Sequence, residues 1–130
     1  MQAIEYKVSL IGASGSGKSS FLQNLLNVNI NYPTLGVEVY PYSFSNNGNK
    51  YRFNFWDCAG DNKYLGLGKD YIQDSDYVVL FGDDMDFKQW IPNNIPFKKI
   101  NNINNINNID VTGSDFSLML VEDLKNSIII

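Results

Sequence analysis

The chain contains no histidine, one cysteine and one arginine among its 130 residues. Without histidine it lacks the commonest acid and base near neutral pH, which excludes catalytic triads built on that residue. The lone Cys58 has no partner for an internal disulfide, so we expect a reducing compartment, cytoplasmic or nuclear. A net charge of −4 argues against a nucleic-acid-binding surface, which requires clustered Lys and Arg.

Long apolar runs are also missing. No run approaches the roughly 20 residues of a membrane-spanning helix, and the first residues, MQAIEYKVSL, do not place an apolar block after a basic segment. The last residues, NSIII, contain no cysteine for prenylation. We therefore expect a soluble protein with no signal peptide and no membrane anchor. Apolar residues are abundant at 44%, which suffices for one domain over residues 1–130.

The first half of the chain shows a regular order of predicted elements. Residues 4–11 have the pattern of a buried strand, and the apolar positions after Lys18 form one face of a helix. Residues 37–44 and 50–57 are strand-like runs joined by an Asn-Gly turn, so they are expected to pair antiparallel.

The second half is less regular. YVVLFGD (77–83) is typical of a central parallel strand, and helical spacing predicts a terminal helix from Asp115, capped by Ser114 or Asp115. INNINNINNID (100–110) has a period of three, which suits neither a strand nor an ordinary helix. We predict an Asn/Ile-rich loop or insertion at 100–109, with a short strand or a binding feature as alternatives.

One glycine-rich stretch carries a chemical signal. GASGSGKS (12–19) fits G-x-x-x-x-G-K-[ST] between a predicted strand and a predicted helix. In such a loop the glycines turn main-chain N–H groups toward phosphate oxygens, Lys18 neutralises their charge and Ser19 offers a hydroxyl to Mg²⁺. The alternative is a strand-to-helix turn with a chance lysine. The sequence thus predicts phosphate binding, and we expect Lys18→Ala to abolish it while leaving the fold largely intact.

Two downstream stretches, YPTLGVEVYP (32–41) and WDCAGDNKY (56–64), extend this signal. Asp57 at a strand end can hold Mg²⁺ through water, Gly60 can donate its N–H to a γ-phosphate, and Thr34 can close over the metal. The alternative is that Asp57 only caps or ends a strand and that Thr34 is a turn residue after Pro33.

These stretches resemble a Ras-superfamily small GTPase, and within it most closely Ran. TLGVEV with Pro41 and Phe44 is similar to switch I and the second strand, and FNFWDCAGDNKY followed by YIQ (71–73) is similar to the third strand and switch II. The resemblance implies an α/β three-layer P-loop NTPase fold, mainly parallel with one antiparallel hairpin strand. It implies nucleotide contacts from Gly12, Ala13, Ser14, Gly15, Ser16, Gly17, Lys18, Ser19, Ser20, Thr34, Gly60, Thr112, Gly113 and Ser114, and metal contacts from Ser19, Thr34 and, via water, Asp57.

Three of the chain's departures from the family bear most directly on its predicted function and fold. Asp61 replaces the glutamine that orients the attacking water, so this candidate catalytic residue predicts weak or absent GTP hydrolysis. The Asn-Lys-x-Asp motif is missing, its nearest strings being NNIN (101–104) and NNID (107–110), which predicts relaxed base specificity. The region between Asp86 and Asp110 is short, so we expect the fold to be reduced after the fourth strand. The sheet edge beyond residues 77–83 is then less covered, which favours homo-oligomers.

The leading prediction is a Ran-like guanine (purine) nucleotide-binding switch that uses Mg²⁺ with GTP or GDP and acts as a slow GTPase at most. Its expected partners are protein effectors or regulators, including those of Ran. An alternative is a nucleotide-free pseudo-GTPase that presents a Ran-like surface to the partners of Ran. An ordinary P-loop kinase or ATPase is a third reading, but it does not explain TLGVEV.

Overall fold

A five-stranded sheet organises the part of the chain that the computed structural model describes, residues 2–12, 18–27, 37–58, 71–82, 85–100 and 114–129. Three helices accompany the sheet within those ranges. In chain order the elements are β1 (Ile4–Gly12), α1 (Lys18–Leu26), β2 (Val37–Asn46), β3 (Asn49–Cys58), β4 (Tyr77–Phe81), α2 (Met85–Lys88), β5 (Phe97–Ile100) and α3 (Ser114–Ile128).

The strands lie in the order β2-β3-β1-β4-β5. β1 pairs in parallel with both β3 and β4, β5 is parallel to β4, and β2 alone is antiparallel to its neighbour β3. β1 is central because its apolar second half is buried on both faces, as parallel strands require. The predicted fold class, α/β with a mainly parallel sheet and one antiparallel hairpin strand, is confirmed.

The β2–β3 hairpin is closed by a two-residue turn. Asn47 and Gly48 have φ of 52° and 82°, the left-handed values that a tight type I′ connection requires and that Asn and Gly tolerate best. The resulting register pairs Val37 with Cys58 and Asn46 with Asn49. The Asn-Gly signal in the sequence thus predicted this turn correctly.

The main core lies between one face of the sheet and helices α1 and α3. The ring of Phe21 on α1 contacts the ring of Phe55 edge-on at 5.4 Å between centroids. Both side chains are fully buried, and burying a phenylalanine stabilises the fold by roughly 1.5–3 kcal/mol. The other core members are Val8, Leu10, Leu22, Phe53, Tyr77, Val79, Phe81, Leu120, Val121 and Leu124.

The opposite face of the sheet is covered by the turn that precedes β4 and by the chain from α2 to β5. Ile72, Phe87 and Ile95 pack there against Ile11, Cys58, Val78 and Leu80 of the sheet. Phe87 belongs to the short α2, and its ring contacts Trp90 at 4.8 Å between centroids. Two core layers therefore enclose β1 and β4.

A strand, β5, lies in the region after Asp86 and includes the first residue of the loop that we predicted at residues 100–109. Ile100 is the last residue of β5, and Gly82 donates its N–H to the Ile100 carbonyl at 2.7 Å. β4 is thus an interior strand, paired on its outer side with the four-residue β5, and the expectation that this edge is less covered than in a full-length domain stays a prediction. Residues 101–113 lie outside the described residues. Within the described ranges no helix is long and apolar enough to cross a membrane.

Candidate functional site

The carboxyl ends of β1 and β3 lie side by side because the two strands are parallel and in register, with Leu10 opposite Asp57. β1 ends at Gly12, whose φ of 147° favours glycine, and β3 ends at Cys58. α1 begins at Lys18 against the same edge. In open α/β sheets, ligands bind beyond the carboxyl ends of the strands, so this edge is the candidate site.

Lys18 ties the two strand ends together. Its Nζ donates to the carbonyl oxygens of Gly12 and Cys58, each at 2.8 Å, and lies 3.9 Å from Oδ1 of Asp57. Only 7% of Lys18 is exposed. Burial, the largest cause, lowers the pKa of Lys18, and the neighbouring Asp57 carboxylate opposes that shift. Lys18 is therefore part of the interior, where two carbonyl oxygens take the place of water around its ammonium, and the expectation that Lys18→Ala leaves the fold largely intact did not include this burial.

Asp57 is 1% exposed at the end of β3. Its carboxylate and the Lys18 ammonium form a buried pair, and removing either one would leave the other desolvated and uncompensated. The sequence-based reading of Asp57 as a residue that only ends a strand does not account for this neighbour. The pair puts one positive and one negative group at the edge of the sheet where β1 and β3 end.

Cys58 contributes its main chain to the site and not its sulfur. Burial raises the pKa of the Cys58 thiol to about 12, with Lys18 opposing and Asp57 reinforcing the shift. The thiol points to the Trp56 carbonyl, with Sγ 3.6 Å from the oxygen. At neutral pH the side chain is a protonated thiol, and thiols in that state are poor nucleophiles.

The first turn of α1 supplies the remaining described part of the site. Lys18, Ser19 and Ser20 occupy it, and it contains no acidic residue. The positive end of the helix dipole is consequently not offset by a carboxylate of its own first turn, which suits an anion.

The donors present fit magnesium. Mg²⁺ prefers oxygen ligands and is usually held by one or two carboxylates together with substrate phosphates. Asp57 and Ser19 provide a carboxylate and a hydroxyl at one edge of the sheet. In the described ranges no group of three or more His, Cys, Asp or Glu side chains could hold a metal ion.

The structure locates only part of the predicted site. Gly12, Lys18, Ser19, Ser20 and Asp57 gather at the carboxyl edge of the sheet. Ser114 is the first residue of α3, where a capping residue was predicted. Outside the described residues lie Ala13, Ser14, Gly15, Ser16, Gly17, Thr34, Gly60, Asp61, Thr112 and Gly113.

Sequence reasoning missed a polar contact on the other side of β1. Ser9 is fully buried, and its Oγ lies 2.6 Å from Oγ of Ser75. The one available signal was a serine inside the apolar run KVSLIG, where a hydroxyl needs a buried partner. Its partner is 66 residues away in the chain, so periodicity gives no way to identify it.

One family comparison bears on the site. Residues 7–116 match the family described as "Ras of Complex, Roc, domain of DAPkinase". The match spans most of the chain, from Lys7 in β1 to the first turn of α3, and so includes the whole carboxyl edge described above. The particular likeness to Ran stays a prediction.

Proposed function

Because the chain belongs to the Roc family of Ras-like GTPase domains, we propose that it is a Mg²⁺-dependent guanine-nucleotide switch with weak or absent hydrolysis and relaxed base specificity. The observation that carries the proposal is the position of the Lys18 ammonium, between the last residue of β1 and the Asp57 carboxylate. This is where the family motif G-x-x-x-x-G-K-[ST] requires its lysine to reach phosphate.

Lys18 is oriented for that contact. An ammonium has three N–H donors, and the carbonyl oxygens of Gly12 and Cys58 accept two of them. The third donor remains for a phosphate oxygen. Because the group is desolvated, its attraction to a phosphate is stronger than that of a solvent-exposed lysine. The main-chain N–H groups of residues 13–17 and the α1 N-terminus would complete the anion site.

Ser19, Thr34 and, through water, Asp57 would hold the metal. When bound, Mg²⁺ neutralises part of the phosphate charge. The Asp57 carboxylate also opposes the lowering of the Lys18 pKa, so it would serve both the metal and the lysine. Thr34 and Gly60 would respond to the γ-phosphate, which is the physical basis of a switch.

Base recognition is expected to be relaxed. Thr112, Gly113 and Ser114 would form the last base-contacting loop, and the string NNIN (101–104) follows directly after β5 in the sequence. When NNIN is aligned with Asn-Lys-x-Asp, Asn104 occupies the position of the aspartate. A carboxylate accepts from both N1–H and the exocyclic amine of guanine, whereas an amide offers only one acceptor beside a donor.

Asn104→Asp tests this reading of the base contacts. The substitution should raise the preference for GTP over ATP by about tenfold or more, because it restores the second acceptor. Asn107→Asp in the neighbouring string is the matched control. Competition titration with the two nucleotides measures the ratio, and an equal gain in both variants would contradict the assignment of Asn104.

Hydrolysis is expected to be slow because Asp61 cannot donate to developing charge on the γ-phosphate when ionised. The single arginine, Arg52, is not placed to stabilise the γ-phosphate in place of Asp61. It pairs with Glu5 at 3.2 Å and lies five residues before Asp57 on β3, about 16 Å from that residue. Single-turnover hydrolysis should be faster in Asp61→Gln than in the native chain. A native rate equal to or above that of the variant would identify Asp61 as a working catalytic residue.

The nucleotide retained by the purified protein is the direct test of the whole proposal. Gentle denaturation followed by chromatography should release GDP or GTP, and calorimetry should show Mg²⁺-dependent rebinding. A second candidate is the nucleotide-free interaction module. It is favoured by the internal carbonyl partners of Lys18, which stabilise the site without a phosphate. An empty protein that rebinds no nucleotide would support this module.

The partners that follow from a switch are effectors and regulators that distinguish its two nucleotide states, and those of Ran are included in the proposal. A regulator that inserts an arginine would compensate for Asp61. We place the protein in the cytoplasm or nucleus on the basis of its single cysteine.

A further inference from the structure

A hollow of about 430 Å³ lies near the end of the sheet where the β2–β3 hairpin turns. Its lining includes Ser43 and Ser45 of β2, Lys50 and Arg52 of β3, and Ala3 just before β1. The nucleotide site lies at the opposite, carboxyl end of β3. Small-molecule pockets have volumes of about 300–1,000 Å³, so the hollow is large enough for a ligand of that kind.

The register of the hairpin puts four polar side chains on one face of the sheet. Ser43 is opposite Arg52, and Ser45 is opposite Lys50. Alternate residues of a strand point to the same face, so the four side chains form two neighbouring cross-strand pairs. The main core lies on the other face, where Phe44 packs. Two cations and two hydroxyls therefore stand together on the outer face.

Aromatic rings support the hollow from the core side of the sheet. The rings of Phe44 and Tyr51 stack 5.6 Å apart between centroids, and Tyr51 stacks on Tyr6 at 6.4 Å. Nζ of Lys125 on α3 lies 4.6 Å from the centre of the Phe44 ring. These contacts join β1, β2, β3 and α3 beneath the hollow, so binding there requires little ordering of the main chain.

Arg52 is held in place by residues of both neighbouring strands. Its Nε donates to Oγ of Ser43 at 3.3 Å, and its Nη1 donates to Oε1 of Glu5 at 3.2 Å. The same Glu5 oxygen accepts from Nδ2 of Asn54 at 3.1 Å. A guanidinium has five N–H donors, and these contacts use two of them. Arg52 is thus oriented by its neighbours, and its other donors have no partner among the residues that the structure describes.

The hollow is positively charged, although the net charge of the chain is −4. Lys50 is exposed and forms no ion pair within the described ranges, and the residues that line the hollow include no acidic side chain. Glu5, which lies beside it, offsets one of the two positive charges and leaves the other uncompensated. The ammonium adds three donors, and each serine hydroxyl adds one. A site with excess positive charge and this many donors attracts an anion.

We propose that this hollow is a second binding site and that it takes a phosphate monoester of small-molecule size. Such a group has three terminal oxygens and a charge of about −1.5 to −2 near pH 7, which matches donors from an ammonium, a guanidinium and two hydroxyls. A carboxylate has two oxygens and a single charge, so it would satisfy fewer of these donors. Because the hollow and the nucleotide site lie at opposite ends of β3, the proposal does not depend on nucleotide binding.

The test is a titration of isotope-labelled protein with glycerol phosphate, followed through the NMR shifts of main-chain amides. Excess GDP and Mg²⁺ are present to occupy the nucleotide site. The amides of residues 43–52 should shift and saturate, with a dissociation constant of roughly 1 mM. Lys50→Gln and Arg52→Gln should each weaken this binding by about tenfold, because each removes a charge-assisted contact. Both side chains reach solvent, so we expect both variants to fold.

Lys88→Gln is the matched control. Lys88 is an exposed lysine beside Phe97 of β5, at the opposite edge of the sheet, so its replacement should leave the affinity unchanged. An equal fall in this variant would show a general attraction of anions to lysine and would overturn the proposal. Shifts at residues 43–52 that rise linearly without saturation would do the same.

Three further outcomes contradict the proposal. Shifts confined to Gly12, Lys18 and Ser19 would assign the phosphate to the nucleotide site alone, which supports the proposed function and removes the second site. Acetate bound as tightly as glycerol phosphate would identify a carboxylate site. Binding of vesicles that contain a phosphorylated inositol lipid, without binding of glycerol phosphate, would identify a membrane surface as the ligand. A chain that binds no GDP contradicts only the proposed function, because the shifts at residues 43–52 are measured in either case.

Discussion

β3 carries one ion pair at its carboxyl end and another in its first half, and the two pairs differ in distance and in exposure. At the carboxyl end Lys18 and Asp57 are 3.9 Å apart, with 8% and 1% of their side chains exposed. Nearer the hairpin Arg52 and Glu5 are 3.2 Å apart, with 41% and 53% exposed. The shorter distance thus belongs to the pair that water surrounds.

The distance between the charged atoms is therefore a poor guide to how much each pair contributes to stability. Water screens the exposed pair, and holding two long side chains together costs rotamer entropy, so such pairs contribute little. The Glu5 carboxylate has its pKa lowered chiefly by a hydrogen bond from Asn54, with Arg52 adding less. The buried pair, in contrast, cannot lose one member without leaving an uncompensated charge in the interior. Charge has been buried at the end of β3 where the ligand is expected.

The largest effect should come from Lys18→Met. It removes the ammonium but keeps an unbranched side chain, and it leaves the Asp57 carboxylate and two carbonyl oxygens buried without this donor. We expect a loss of about 3–5 kcal/mol in the free energy of unfolding, together with loss of triphosphate binding. Urea unfolding measures the first quantity. A variant as stable as the native chain would show that the buried pair contributes nothing to the fold.

The next effect concerns the thiol that lies beside the buried pair. Because burial raises the pKa of Cys58 to about 12, its thiolate fraction at pH 8 is about a thousandfold lower than that of an ordinary cysteine with a pKa near 9. Alkylation of the folded protein should be slower by at least this factor and should accelerate tenfold per pH unit below 12. The same reaction in denaturant is the control, and rapid modification of folded protein would contradict the burial of the site.

Asp57→Asn changes the charge at the carboxyl end of β3 without changing its shape. A neutral amide is a weaker ligand toward a metal-bound water, so we expect the affinity for Mg²⁺ with GDP to fall by about tenfold to a hundredfold. Glu5→Gln makes the same change at the exposed pair and should leave Mg²⁺ binding unaltered. Titration of Mg²⁺ at constant GDP separates the two variants, and equal affinities would remove Asp57 from the metal site.

The smallest effect should follow from Arg52→Met, the counterpart of the lysine variant at the exposed pair. Its melting temperature should remain within about 3 °C of the native value, and the difference should shrink further in high salt. Nucleotide affinity should be unchanged, because Arg52 lies far from the carboxyl edge. A loss of stability comparable with that of Lys18→Met would abolish the contrast between the two ends of β3.

Local patterns in the sequence predicted most of the fold. β1, α1 and the hairpin carry clear periodicities, and Asn47-Gly48 fixes the turn between two of the strands. β5 was not predicted because Phe97–Ile100 is only four residues long and two of these are lysines. In isolation such a run has no strand-like alternation, and only pairing with β4 makes it a strand.

The sequence proposes residues for the candidate site but does not contain their arrangement. The spacing of Gly12, Lys18 and Ser19 indicates a phosphate loop because adjacent residues carry the motif. That the Cys58 carbonyl accepts from Lys18 depends on β3 lying next to β1, which joins residues 40 positions apart in the chain. The Ser9–Ser75 pair spans a longer separation still. Such contacts follow from the tertiary fold, so a pattern within one segment does not contain them.

The central position of β1 has a consequence for the order in which the chain assembles. β1 is synthesised before its neighbours in the sheet, residues 51–57 and 77–81. It can complete its pairing only after both of them have been synthesised. The hairpin needs only residues 37–58 and a turn that forms in about 1–10 μs. We therefore expect the hairpin to be the first stable pairing as the chain emerges during synthesis, and the amino-terminal strand to be inserted last, between partners already made.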